Sequence, residues 1–354
     1  MLSSPSADLA ARWSRLRGEK PALRIRDAAA TLGVSEAELV ALGIGQKGVG
    51  QTATALAADW RALLADMPSV GRVMCLTRNE HCVHERHGRF EDVQVSGPHG
   101  LVLGPDIDLR LFLGSWRHGF AVREPFKQGE RASLQFFDAS GEAVHKIYAT
   151  DETDRQAFDA LIARYRAEPP ATLEIAPRAP DVADRPDAEI EVEGLRVAWR
   201  AMQDTHEFFG MLGKFKVGRM QALRLAGEEF ARELPARALR SALEAAGASS
   251  TPIMIFVGSK GCIQIHSGPI KRLVETHGWF NVLDPAFNLH LREAGVARLF
   301  SVRKPTEDGI VTSIEAFDSS NRNILLMFGA RKPGKPELEE WRALVARIEK
   351  RAAS

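Results

Sequence analysis

Several features are scarce in this sequence of 354 residues, and each absence narrows the possible functions. The three cysteines, Cys75, Cys82 and Cys262, are an odd number at spacings unsuited to a disulfide framework, so we expect a reducing compartment. No run approaches 18 apolar residues and no signal-peptide core is present, which predicts a cytoplasmic protein without membrane insertion. The net charge of +1 provides no general basic field to attract nucleic acid. Glycine-rich nucleotide loops, nucleophile elbows and metalloprotease motifs are also missing.

An internal duplication is the strongest positive signal. Shifting the chain by 180 residues places Met74–Ser140 on Met254–Ser320 without a gap, with 17 identities in 67 pairs. Ordinary composition would give roughly 4 identities in a stretch of that length. Because the period is far longer than a solenoid unit, we interpret it as a duplicated domain. Positions at which the two copies differ in chemistry are therefore visible within this one chain.

A proline-rich segment separates the copies. Residues 168–187 contain five prolines, which disfavour regular structure, so we predict domains at 1–167 and 188–354 joined by this linker. Each copy shows helical patterns, then short alternating strands, then a closing helix. Short strands with brief turns favour antiparallel pairing. The predicted class is α+β, a tandem repeat in which each half is a large antiparallel sheet with flanking helices.

Two helical patterns precede the strands of the first copy, over Ala22–Leu42 and Thr52–Ala65. The first of them also imitates a helix-turn-helix, with Gly33 at the turn and a Ser35 cap. Its second helix is acidic at Glu36 and would face phosphates badly, so DNA is disfavoured as a partner. A DNA-binding regulator remains the weakest of the functional alternatives.

The strand at residues 106–113 alternates strictly between apolar and polar side chains. Its apolar set points one way, so Arg110 and Phe112 share the other face. The second copy places His290 at the position of Arg110. An arginine beside a phenylalanine suits a cleft that holds something flat and anionic, although a solvated face with a snorkelling arginine explains the pattern too.

His206 lies just beyond the linker, where Asp204 and Glu207 have the spacing of a capping box and predict a new helix. A neutral imidazole in this aromatic setting is a good ligand for a transition metal, and a hydrogen-bonded histidine without a catalytic role is the alternative. The cluster of His81, Cys82, His84 and His87 also looks like a zinc site. The second copy lacks that liganding pattern, which favours a polar strand and turn instead.

Together, the duplicated organisation, the Arg110-x-Phe112 strand, the segment Asp204-Thr-His-Glu-Phe-Phe209 and the segment Leu76-Thr-Arg-Asn-Glu80 resemble the cytoplasmic haem-trafficking and haemin-degrading factors of bacterial haem-uptake systems, the HemS/ChuS/HmuS-like family. The resemblance extends from about Leu23 to Lys350. It implies haem between a helix of the second repeat and the sheet of the first.

Residue roles follow from the resemblance alone. It implies that His206 is the iron ligand, that Arg110 is the catalytic residue on the distal side, and that Phe112 lies beside it over the porphyrin. Some members of the family cluster further histidines at the ligand, whereas this chain has only His206 there. The resemblance also implies further haem-pocket residues: Arg219, Gln221, Lys304 and Phe317.

The implied function is the binding of one haem per chain and its oxidative ring opening, with iron release and electrons supplied from outside. The alternative from the same pocket is a non-enzymatic carrier that delivers haem to a separate haem oxygenase. The implied partners are haem, a haem oxygenase or reductase, and the haem-uptake transporter. The sequence leaves open whether His290 marks a second haem site.

Overall fold

The computed structural model describes residues 5–45, 50–126, 129–168, 172–180, 183–331 and 334–352. The chain divides into two compact units. Unit 1 consists of Met1–Thr77, Glu85–Ala179 and Ser259–Gln264; unit 2 consists of Arg78–His84, Pro180–Gly258 and Ile265–Ser354. Each unit therefore includes a short segment from the other half of the sequence. The predicted boundaries at 167 and 188 stay a prediction.

The first half of the chain contains five α-helices and nine strands among its described residues. They are α1 Pro5–Glu19, α2 Ile25–Leu32, α3 Glu36–Ala41, β1 Thr52–Ala55, α4 Trp60–Asp66, β2 Gly71–Arg78, β3 Cys82–Arg89, β4 Val93–Ser96, β5 His99–Leu103, β6 Asp108–Phe112, β7 His118–Phe126, β8 Gly129–Phe137, β9 Ala143–Thr153 and α5 Arg155–Arg164.

The second half repeats this organisation in the part that the structure describes. Its elements are α6 Val192–Arg200, α7 Glu207–Phe215, α8 Arg219–Ala226, β10 Ala231–Leu234, α9 Ala238–Ser249, β11 Ile253–Gly258, β12 Cys262–Gly268, β13 Leu273–Thr276, β14 Trp279–Asp284, β15 Phe287–Leu291, β16 Arg298–Thr306, β17 Gly309–Phe317, β18 Asn323–Gly329 and α10 Glu339–Ala352.

The strands form two large antiparallel sheets with flanking helices, so the predicted α+β class is confirmed. Within unit 1, five strands follow the order β1-β7-β8-β9-β2, and β4-β5-β6 form a meander. Unit 2 repeats both arrangements as β10-β16-β17-β18-β11 and β13-β14-β15. Strand β6 shows the predicted alternation: Leu109 and Leu111 are buried, while Arg110 and Phe112 on its other face are half-buried.

One helix prediction was wrong over part of its length. Residues Thr52–Ala55 form the edge strand β1, which pairs with β7 through Ala53 and Val122, and helix α4 begins only at Trp60. The alanine-rich composition favoured a helix, but alternating threonines and a free neighbouring strand favour an edge strand. The other pattern, Ala22–Leu42, is two helices separated by Gly33, whose φ of 69° ends α2 in a left-handed conformation.

Candidate functional site

Helix α7 presents one apolar face to the core of unit 2 and a different face to solvent. Phe208, Met211 and Leu212 are buried at helical spacing, and Phe208 packs edge-on against Trp199 with 4.8 Å between ring centroids. Phe209, by contrast, is 66% exposed, which is unusual for a phenylalanine. The helix ends at Lys216 in a left-handed conformation, and α8 follows after Gly218.

His206 is the N-cap residue of α7, and its side chain is 91% exposed. Its Nδ1 lies 2.6 Å from Oδ1 of Asp204, and its backbone N–H donates to the same oxygen at 2.7 Å. That backbone hydrogen bond is the main cause that lowers the pKa of Asp204. Since an ionised carboxylate can only accept, Nδ1–H donates, and in the neutral form of the ring Nε2 carries the lone pair. An imidazole held in this tautomer is suited to bind a metal through Nε2.

The predicted capping box is not formed, because the N-cap residue of α7 is His206 and its side chain makes no capping hydrogen bond. The Asp204 carboxylate accepts from the backbone N–H of His206, the residue just before the helix. The Glu207 carboxylate accepts from the backbone N–H of Gln203, at 3.2 Å, and not from that of Asp204. The helix starts at Glu207, two residues later than a cap at Asp204 predicts, and Asp204 instead orients the imidazole.

A buried ionic group, which we call the Glu315 cluster (Arg219, Lys304, Ser313 and Glu315), lies beside α7 and α8. Arg219 donates from Nε and Nη2 to the two Glu315 oxygens at 2.8 and 2.9 Å. Lys304 Nζ is 2.7 Å from Oε1 of Glu315, and Ser313 Oγ donates to the same oxygen at 3.0 Å. The Lys304 ammonium also lies 4.6 Å from the centroid of the Phe208 ring.

The electrostatics of this cluster leave one net positive charge at neutral pH. Burial lowers the pKa of Lys304 to about 8, although Glu315 opposes this shift. Burial alone would raise the pKa of Glu315, but the charges of Arg219 and Lys304 outweigh it and hold that pKa below its usual range. Two cations thus share one carboxylate. Lys304 itself is 2% exposed, so its ammonium is enclosed by protein, whereas Arg219 is only partly buried.

Two other predicted pocket residues have structural contacts. The side-chain amide of Gln221 donates to the carbonyl of Arg185 at 2.6 Å and to Asp187 at 2.9 Å, which ties α8 to the end of the linker. Phe317 is buried in the core of unit 2, edge-on to Phe300. Their predicted contact with haem remains a prediction.

In unit 1, Arg110 forms an ion pair with Asp108 two residues earlier on β6. Burial raises the pKa of Asp108, and the Arg110 charge partly offsets this effect. Phe112 lies edge-on to His99 with 6.2 Å between ring centroids. In unit 2, the aligned His290 is hydrogen-bonded through Nδ1 to Asn281 at 2.7 Å. The residue type thus differs between the repeats while its place on the strand is kept.

The other candidate sites have structural surroundings. His84 is buried with its ring 4.9 Å from that of Phe287, and His81 Nε2 lies 3.8 Å from Asp318. Within the described residues, no group of three or more His, Cys, Asp or Glu side chains could hold a metal ion. In the helix-turn-helix segment, Glu36 is buried and paired with Lys146, so α3 packs into unit 1.

Sequence reasoning missed Glu315, the residue around which the cluster is built. The internal repeat carried a signal for it, because Glu315 aligns with Gln135 and Lys304 aligns with Glu124. A carboxylate and an ammonium thus appear in the second copy where the first has an amide and a carboxylate.

None of the helices among the described residues is long and apolar enough to span a membrane.

Comparison with known proteins covers nearly the whole chain. The family model described as haemin-degrading HemS.ChuX domain matches residues 33–165 and again 216–348. Hemin transport protein HmuS of Yersinia pestis is 39% identical over 347 residues, 97% of this chain and 98% of that protein. The solved structure of holo-PhuS, a heme-binding protein from Pseudomonas aeruginosa, has a TM-score of 0.92 and 50% identity, and 96% of this chain and 98% of that one are covered. The Escherichia coli O157:H7 heme degrading enzyme ChuS has a TM-score of 0.89 and 37% identity, with 97% and 99% covered.

Proposed function

Since this chain belongs to the haemin-degrading HemS/ChuX family, we propose that it binds haem and that His206 of unit 2 is the iron ligand. The observation that carries the proposal is the Asp204–His206 contact, which fixes the tautomer in which Nε2 is free to coordinate. Imidazole is an ordinary axial ligand of haem iron, and a carboxylate partner on the other ring nitrogen is the usual support for such a ligand.

The solvent face of α7 also suits a flat macrocycle. Phe209 is exposed one turn beyond His206, and a Cβ atom built on Gly210 or Gly213 would meet no atom within 4 Å. Glycine inside a helix costs roughly 1 kcal/mol relative to alanine. Two glycines in a nine-residue helix therefore lower its stability, and these two positions without side chains allow a ring to approach the backbone.

Haem titration followed at the Soret band tests this proposal. The wild type should bind one haem per chain. His206→Ala removes the proposed ligand itself. It should therefore lower haem affinity by more than the 10- to 100-fold expected when only the supporting partner of a ligand is lost. His277→Asn is the matched control, because His277 is an exposed histidine of unit 2 whose φ of 50° suits asparagine. Equal affinity and an equal spectrum in His206→Ala and the control would refute the assignment.

We keep Arg110 and Phe112 of unit 1 as haem contacts on the strength of the family resemblance. Arg110→Ala should leave the His206-dependent Soret band in place and change the spectrum of the sixth coordination position. The conservative change Arg110→Lys tests whether a positive charge alone suffices. A spectrum identical to that of the wild type in both variants would remove Arg110 from the site.

We further propose that haem is a substrate whose ring is opened with external electrons, and that Arg110 contributes a cationic hydrogen-bond donor to that reaction. The similarity to a protein described as a heme degrading enzyme supports this reading. The carrier alternative is supported by similarity to a protein named for hemin transport and by the high exposure of His206. The partner oxygenase or reductase, the uptake transporter and the cytoplasmic location stay predictions.

Incubation of the haem complex with ascorbate in air, with catalase present, separates these two alternatives. Loss of the Soret band with a single tetrapyrrole isomer and iron release would support an enzyme. If catalase prevents the loss, or if a mixture of isomers forms, free peroxide is responsible and the carrier alternative is favoured. Arg110→Ala should slow the reaction only if the site itself opens the ring.

A further inference from the structure

The loop that carries His206 is held by hydrogen bonds and not by packing. The His206 side chain is almost fully exposed, so the core does not fix its position. The last buried residue before it is Met202. Between Met202 and the start of α7 at Glu207 lie four residues without helical or strand structure. The direction of the imidazole therefore depends on how the backbone of this short loop is anchored.

Gln203 is the anchored residue of the loop, because both of its backbone polar groups are bound. Its N–H donates to the Glu207 carboxylate at 3.2 Å, which closes the loop on itself. Its carbonyl accepts from the backbone N–H of Glu307 at 2.9 Å. The second bond connects the loop to the turn between β16 and β17. Asp204, whose carboxylate orients the imidazole of His206, is the next residue after this anchor.

The turn between β16 and β17 is itself firmly placed. The two strands pair over all nine residues of each, ending at Thr306↔Gly309, so Glu307 and Asp308 form a two-residue turn at the end of a regular ladder. Asp308 also forms an ion pair with Arg331, at 3.6 Å. The Glu307 N–H is therefore presented to the loop from a fixed position.

We propose that this turn is a positioning element for the iron ligand, and that the backbone N–H of Glu307 is the group that acts. By holding the Gln203 carbonyl, it fixes the backbone beside Asp204, and Asp204 in turn fixes the imidazole of His206. The inference rests on the proposed haem binding and deepens it, because it names what directs the ligand before haem arrives.

Glu307→Pro removes this hydrogen bond with little other change. Glu307 is the second residue of the turn, a position that favours proline, and its φ is not positive. The preceding Thr306 lies in a strand, the conformation that a following proline favours. Glu307→Ala is the matched control, since it removes the same side chain and keeps the N–H.

Hydrogen exchange of the haem-free protein tests the contact itself. In Glu307→Pro, the amide hydrogens of Gln203 and Glu207 should exchange about threefold to tenfold faster than in Glu307→Ala, a factor that corresponds to the loss of one hydrogen bond. The amides of α9, elsewhere in unit 2, should keep their rates. Equal exchange in the two variants, or equally faster exchange in α9, would show that the turn does not hold this loop in particular.

Haem titration then tests whether the anchored loop matters to the ligand. Glu307→Pro should bind haem about threefold to tenfold more weakly than Glu307→Ala. When Asp204→Ala is also present, the difference between proline and alanine at position 307 should shrink, because the turn acts through Asp204. A merely structural turn would give the same difference in both backgrounds. That result, or no difference in either background, would overturn the positioning role.

Glu207 provides a second pair of variants in case proline prevents folding. Glu207→Gln keeps an oxygen that can accept from the Gln203 N–H, whereas Glu207→Ala does not. Both lose the charge, so the difference between them reports the hydrogen bond. Glu207→Ala should show faster exchange at Gln203 and weaker haem binding, and equal behaviour would refute the anchor. If the wild type does not bind haem, the proposed function fails, while the exchange rates still report on the contact.

Discussion

The two units carry side chains of different charge at the same strand positions. In unit 2, Glu315 is fully paired with Arg219, Lys304 and Ser313. In unit 1, the aligned Gln135 donates only to Ser133, and its Oε1 atom has no hydrogen-bond partner among the described residues. The backbone is preserved, so the difference lies in the charges that a duplicated core position can accommodate. This difference agrees with the anionic ligand that we propose for the second copy.

Removal of the two aligned side chains should give the largest contrast in stability. Glu315→Leu leaves Arg219 and Lys304 without their shared carboxylate, and breaking such a buried pair costs about 3–5 kcal/mol. Gln135→Leu removes an amide that is only partly satisfied, so its effect should stay within about 1 kcal/mol. Urea unfolding of both variants measures the difference. Equal losses would mean that the cluster does not stabilise unit 2 beyond ordinary packing.

A buried histidine of unit 1 that has no counterpart in the second repeat should make the protein sensitive to acid. His145 is fully buried, with Nδ1 2.9 Å from Thr77 Oγ1, whereas the aligned residue of unit 2 is Leu325. Burial lowers the pKa of His145 from 6.5 to about 3. Between these values the unfolded chain binds a proton that the folded chain does not, so stability falls as pH decreases through this window.

The expected loss from His145 is about 2 kcal/mol at pH 5 relative to pH 7. His145→Leu installs the residue of the second repeat and should remove that part of the pH dependence. Thr77 would keep its contact with Cys262 Sγ at 3.3 Å. Unfolding free energies of both proteins at pH 7 and pH 5 test this. Parallel pH profiles would show that His145 is protonated without penalty in the folded protein.

Two aspartates near helix starts allow the ligand-orienting role of Asp204 to be separated from its effect on stability. Asp154 caps α5 in unit 1 by accepting from the Ala157 N–H at 2.9 Å, and Asp204 accepts from His206 before α7. Either change to alanine should cost about 1 kcal/mol of stability. Only Asp204→Ala should also lower haem affinity, by about 10-fold or more. Similar affinities in the two variants would restrict Asp204 to stabilising the turn before α7.

The sequence predicted what depends on periodicity and duplication. The α+β class, the β6 alternation and the helix start beside His206 all followed from local patterns and are present. The strand at Thr52 was missed because an edge strand depends on a partner distant in sequence. Glu315 was missed for the same reason, since its partners Arg219 and Lys304 come from other elements. Long-range pairing of charges leaves no periodic trace in one sequence.

The smallest expected effect concerns the two glycines of α7, where a change to alanine should raise stability and lower haem affinity. Helix α2, which precedes α3 as α7 precedes α8, contains three alanines and no glycine. Gly210→Ala and Gly213→Ala should each stabilise the haem-free protein by about 0.5–1 kcal/mol, because alanine restricts the unfolded chain and both sites have open space. If the porphyrin lies against this face, the added methyl group should at the same time weaken haem binding.

Gly18→Ala near the end of α1 is the control, since its Cβ would also meet no atom within 4 Å. It should raise stability slightly and leave affinity unchanged. Thermal unfolding without haem and Soret titration with haem measure the two effects separately. Opposite signs at Gly210 or Gly213 would support the use of this face, and unchanged affinity in both would move the ring elsewhere.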